Sequence, residues 1–80
     1  MIEAAQIRAA RGLVEFSQIQ LAEVSGLALS TIRRMEVAGG TLKSSVENVL
    51  KVQRALEDAG VVFIDQNEKS GPGVRLKNPI

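Results

Sequence analysis

The fold is decided by one stretch: Ser17-Gln18-Ile19-Gln20-Leu21-Ala22-Glu23-Val24-Ser25-Gly26-Leu27-Ala28-Leu29-Ser30-Thr31-Ile32-Arg33-Arg34-Met35-Glu36. Ser17 stands where a helix begins, because its hydroxyl can accept from a first-turn amide and Gln20 completes the capping-box pattern three residues on. The helix then runs through Leu21, Ala22 and Val24 to Gly26, which takes a left-handed conformation at little steric cost and turns the chain sharply. A further helix is expected from Ala28 to about Val37, ended by Gly39-Gly40. The spacing locks these two short helices together. Leu21, Leu27, Ile32 and Met35 face inward, Ala22 permits close approach and Gly26 makes the corner.

At about 100° per residue, Leu29, Ser30, Arg33, Arg34 and Val37 fall on the side of helix 28–37 away from Ile32 and Met35. Such a face suits the major groove of duplex DNA, where arginine donates twice to guanine, serine bonds a donor or an acceptor, and leucine meets a thymine methyl. Paired arginines also occur on plain solvated helix faces, and Glu23 and Glu36 are alternative partners for Arg33. Lys43, in the loop that follows, is placed for a phosphate or is simply solvated.

Working outward, Ile2, Ala5, Ile7, Ala9, Ala10, Leu13 and Val14 form a broad apolar stripe and predict a first helix over 2–14, with Glu3, Arg8 and Arg11 as its polar residues. Ser44 and Glu47 form a second capping-box pattern. Val46, Val49, Leu50, Gln53, Leu56 and Ala59 follow at helical spacing, and Gly60 closes this fourth helix. The period then changes: Val61-Val62-Phe63-Ile64 reads as a strand, residues 66–72 as a loop, and Gly73-Val74-Arg75-Leu76-Lys77 as a second, half-exposed strand.

Composition narrows the function classes. The 80 residues contain neither cysteine nor histidine, which excludes disulfides, thiol nucleophiles and imidazole chemistry, and no metal or cofactor is implied. The carboxylates Glu15, Glu23, Glu47, Glu57 and Asp58 are scattered over helix ends and faces, where capping and surface pairing account for them, so no enzyme is expected. Two phenylalanines are the only aromatic residues, so the core must be aliphatic. No apolar run approaches the roughly 20 residues that span a bilayer, and a cytoplasmic protein is the expectation. Net charge is +1, with five basic and four acidic residues in 1–43 and five of each in 44–80. Any cationic surface for nucleic acid must therefore be local.

Residues 17–36 resemble the phage repressor and Cro-like (Xre) family, whose pattern S-Q-x-x-L-A-x-x-x-G-[VL]-x-x-[ST]-T-I-x-R-x-E they match. Ile7-Arg8-Ala9-Ala10-Arg11 looks like that family's first helix. Ser45-Val46-Glu47-Asn48-Val49-Leu50-Lys51-Val52-Gln53-Arg54-Ala55-Leu56 looks like its S-[LV]-E-x-[LV]-x-[KR]-[LV]-x-x-A-L helix, so the resemblance covers about residues 5–57. It implies a mostly α, four-helix lambda-repressor-like DNA-binding domain, here with a C-terminal β-strand pair in place of the fifth helix. It places the base-reading residues on Leu29, Ser30 and Arg34, and phosphate contacts on Gln18, Thr31 and Arg33. It also pairs Arg11 with Glu36 as a structural salt bridge. Gln18 is equally accounted for as an amide near a helix start, and Leu29 by dimer packing or simple exposure. Ala28 departs from the family's usual capping serine or threonine, and Leu29 from a polar reader.

These readings divide the chain into a helix-turn-helix domain over 1–60 and a β-tail over 61–80. In the tail, Val61, Val62, Phe63, Ile64, Val74 and Leu76 are candidate dimerisation residues, because a two-stranded ribbon is marginal unless something covers it. A hairpin folded onto its own helices is the alternative. The function expected is a homodimeric transcriptional regulator, a repressor in the family's usual mode, on a palindromic operator in double-stranded DNA. The alternative is an antitoxin or anti-activator module that holds a toxin or activator as its protein partner.

Overall fold

The computed structural model describes residues 1–37 and 44–80; Lys43 and the Gly39-Gly40 pair lie outside the described residues. Among those described, the order of elements is α1 (Ala4–Val14), α2 (Gln18–Ser25), α3 (Leu29–Met35), α4 (Val46–Asp58), β1 (Val61–Ile64) and β2 (Gly73–Leu76). The structure is thus mostly helical with one antiparallel strand pair, and no helix is long and apolar enough to cross a membrane.

The core is aliphatic. Ile7, Leu21, Ile32, Met35, Val49, Val52 and Leu56 are fully buried, while Phe16 and Phe63 pack only at its margin. Burying each of these large aliphatic side chains contributes roughly 1.5–3 kcal/mol, which has to offset the ordering of a short chain. Val61 of β1 belongs to this same core, so the strands complete the helical unit.

Helix ends follow the local chemistry, with three corrections, the first being that α1 starts at Ala4 rather than Ile2, with Glu3 as its N-cap. Ser17 Oγ accepts from the Gln20 amide and Gln20 Oε1 accepts from the Ser17 amide, the reciprocal box its sequence indicates. Gly26 adopts φ 74° and turns the chain into α3. At α4 the cap is Ser45, whose hydroxyl accepts from the Asn48 amide; the Ser44–Glu47 box is not formed because the helix begins one residue later than that pattern requires. The third helix is shorter than 28–37, spanning Leu29–Met35. Ala28 has no side-chain oxygen to cap its start, and Glu36, at φ −91° and ψ 1°, ends it.

The strands close on each other within one chain, in the register Val61↔Leu76, Val62↔Arg75, Phe63↔Val74 and Ile64↔Gly73. Val61 is buried in the chain's own core, and the half-buried Phe63 and Val74 pack against it from the same face of the hairpin. The apolar pattern asked only that these residues be covered, and α1 and α4 cover them. Leu76 is half-buried beside Val61, leaving Ile64 and the half-buried Val62 on the opposite face of the sheet.

Gln6, which the sequence did not single out, ties the hairpin to α1. It is 5% exposed; its Nε2 donates to the Ile64 carbonyl (3.2 Å) and the Gly73 carbonyl (3.0 Å), which face each other across the ladder, and its Oε1 accepts from the Glu3 amide (2.7 Å). Every polar group of a buried amide is thereby engaged. Gln6→Met keeps the length and removes all three bonds. It is expected to lower stability by about 1–3 kcal/mol, read from urea denaturation, with faster amide exchange across β1 and β2.

Candidate nucleic-acid interface

The surface is built from α2 and α3, which pack against each other about Gly26. The buried side of α3 is set by Ile32 and Met35, each 1% exposed, so the residues between them turn outward. Ser30, Arg33 and Arg34 are exposed, and Val37 continues this face just past the helix. Among the described residues neither Arg33 nor Arg34 pairs with a carboxylate, although Glu23 and Glu36 are close in sequence. Two guanidinium groups on one short exposed face supply the local positive charge that the net charge of +1 does not advertise.

Leu29 departs from its reading as an exposed residue. It is half-buried and packs against the core, because the first turn of α3 brings it beside Ile32, one turn ahead. Thr31 is also half-buried, and Leu27 packs at the core margin rather than within it. Gln18 is half-buried at the start of α2, its Nε2 within 3.4 Å of Glu36 Oε1.

The last residue of the stretch organises the rest. Glu36 is 6% exposed, and its carboxylate takes two hydrogen bonds from Arg11, Nε to Oε2 and Nη2 to Oε1, both at 2.8 Å. Arg11 also donates through Nη1 to the Phe16 carbonyl at 3.0 Å, in the turn between α1 and α2. One side chain of α1 therefore holds both the corner before α2 and the end of α3. The hydrogen bond to Glu36, reinforced by the carboxylate's charge and opposed by burial, raises the pKa of Arg11 above its already high ordinary value. The guanidinium stays charged, and each of its three nitrogens donates one hydrogen bond within the fold.

A residue the sequence left as plain polar punctuation joins this group. Arg8 lies three residues before Arg11, and its Nη1 donates to the main-chain oxygen of Glu36 at 2.7 Å. Its spacing from Arg11, on the same helical face, was the only signal available.

Two grooves lie elsewhere: one of about 470 Å³ among Met1, Glu3, Gln6, Asp65, Gln66 and Pro72, and one of about 250 Å³ among Phe16, Val24, Ala55, Asp58 and Ala59. Neither includes a residue of the α3 face. No group of histidine, cysteine or carboxylate side chains among the described residues is arranged to hold a metal ion.

No family model and no curated protein matches this chain.

Removing Arg11 leaves the Glu36 carboxylate buried without its charge partner. Arg11→Met should therefore cost about 3–5 kcal/mol in denaturant unfolding, a large share of what a small domain has. Adding Glu36→Leu to that variant should recover much of the loss, since the uncompensated charge rather than the missing contact dominates the cost.

Proposed function

We propose that this protein is a sequence-specific DNA-binding regulator of the phage repressor and Cro-like type, with α2 and α3 as its helix-turn-helix. The observation that carries this reading is the outer face of α3: Ser30, Arg33 and Arg34 point away from a buried side fixed by Ile32, Met35 and Glu36. A short helix with exposed guanidinium groups on one side is what a major groove accepts. Arg34 is assigned to a base, with bidentate donation to guanine; Ser30 lies one turn before it and bonds an adjacent base edge. Arg33, which is exposed, is assigned to the phosphate backbone; Thr31 and Gln18, half-buried and with Gln18 also bonded to Glu36, are lesser phosphate contacts, and Lys43 is a further one by its place in the chain.

Leu29 takes a reduced part. Its half-buried side chain supports the packing of α3 first, and only its outer edge is left for a thymine methyl. Action as a homodimeric repressor on a palindromic operator remains part of the proposal, and two copies are then held about 34 Å apart along the duplex. With the hairpin closed in each subunit, the outer-face residues Val62 and Ile64 are the part of the tail that a second copy would meet.

A second reading, a module that holds a toxin or an activator, is favoured by the low net charge and by Ile19, which is 57% exposed on α2. Purification from the native host separates the two: a stoichiometric protein partner supports the second, and clean binding to its own promoter without one supports the first.

Selection of bound duplexes from random DNA supplies the probe for the first reading. On the selected sequence, Arg34→Ala should weaken binding by about 1–3 kcal/mol per half-site and relax preference at one base pair. Arg33→Ala should weaken selected and unselected duplexes alike and lower the salt slope by about 1. Unchanged affinity in the Arg34 variant overturns the assignment.

A further inference from the structure

We propose that Arg8 is a positioning residue for the DNA-reading face: it holds the C-terminal end of α3 against α1 and so places Arg33 and Arg34, without itself touching nucleic acid. The inference rests on the DNA-reading proposal for its functional consequence, but the grip on α3 stands on the geometry alone.

Consider what fixes α3. It is seven residues long, and its start lacks a side-chain cap because residue 28 is alanine. A helix this short is marginal by itself, so its orientation comes from tertiary contacts. On its buried side Ile32 and Met35 enter the core and Leu29 packs at its edge, which sets the depth of the helix and the place of its first turn. The remaining constraint is at its C-terminal end, where main-chain oxygens have no partner within the helix and carry the negative pole of its dipole.

Arg8 meets that end. The oxygen it takes, at 2.7 Å, belongs to Glu36, the residue that terminates α3, and the donor is Nη1 of a half-buried residue of α1. A cation donating to a C-terminal carbonyl satisfies an orphan acceptor and the dipole together. Arg11, one turn further along α1, takes the Glu36 side chain. The two grips differ in kind. Arg11 depends on the carboxylate, whereas Arg8 depends on the backbone, so no substitution at position 36 short of a backbone change removes the second. Together they hold one residue by its main chain and its side chain, which fixes direction as well as position.

The same geometry argues against a phosphate role for Arg8. The nitrogen that donates is already committed at short distance to a carbonyl inside the protein, and the side chain is half-buried, unlike Arg33 and Arg34, which are exposed.

Arg8→Met and Arg8→Lys test this in the full chain: the first keeps the stem and loses every donor, the second restores a cation. Amide hydrogen exchange on the free protein comes first. Arg8→Met should speed exchange roughly tenfold at Met35, Glu36 and Val37, the scale of a charged hydrogen bond, while α4 and the hairpin are unchanged. Arg8→Lys should return most of that protection. Unchanged exchange at the end of α3 overturns the proposal whether or not DNA is bound.

Binding to duplexes selected from random DNA then reads the consequence. Arg8→Met should lower affinity for the selected sequence by about tenfold, narrow the gap to unselected duplex, and leave the salt slope where it is in the parent. A salt slope reduced by about 1 makes Arg8 a phosphate contact and overturns the proposal. So does an affinity within twofold of the parent. Absence of any sequence preference in the parent protein would end the DNA-reading proposal instead, and the exchange result would still decide whether Arg8 holds α3.

Discussion

A carboxylate as buried as that of Glu36 has to be met by charge and hydrogen bonds or it destabilises the fold that contains it. Here it is met by the Arg11 guanidinium of α1 in two parallel bonds, with the Gln18 amide at 3.4 Å, while the carboxylate ends the exposed helix α3. The pair does little for stability compared with an apolar substitute of equal volume, but it is demanding about geometry: both bonds form only when α1 and α3 hold one distance and one rotation. The placement of the outward face of α3 follows from that demand. Ile32 and Met35 keep the helix in; Glu36 keeps it from turning.

Helix α1 then emerges as the member that everything else refers to. Within six residues it carries Gln6, which clamps both strands of the hairpin, and Arg8 and Arg11, which hold the far end of α3. The tail and the exposed face are thus built on opposite stretches of one short rigid element. Strands that look marginal in isolation are here tied to the helices: a buried amide engages their carbonyls and Val61 extends the helical core.

How much of this was legible follows from the physics of each signal. The α2–Gly26–α3 corner was fully legible, because capping, a left-handed glycine and inward apolar spacing are local or near-local rules. The two strands and the loop between them were legible too, but not whether they pair within one chain or between two. Leu29 was misplaced because a helical wheel fixes direction and says nothing of the end at which a neighbouring element packs; it sits at the edge of the buried arc, and the core reaches that far. Ser44 and Ser45 offer the same capping chemistry in the sequence, and only the onset of α4 selects Ser45. Gln6 and Arg8 were invisible as more than polar residues on an amphipathic helix: their partners are main-chain oxygens 58, 67 and 28 residues away, and backbone acceptors leave no mark in a sequence.

The central claim is that the outer side of α3, held by Glu36, is the surface that meets duplex DNA. Titrating the isotopically labelled protein with duplex DNA while following every backbone amide tests it most directly. The account predicts the largest shifts at Gln18, at Leu29 through Val37 and at Lys43, with α4 still. Shifts centred on the hairpin or on the Phe16–Val24 groove, or none at all at low salt, would contradict it.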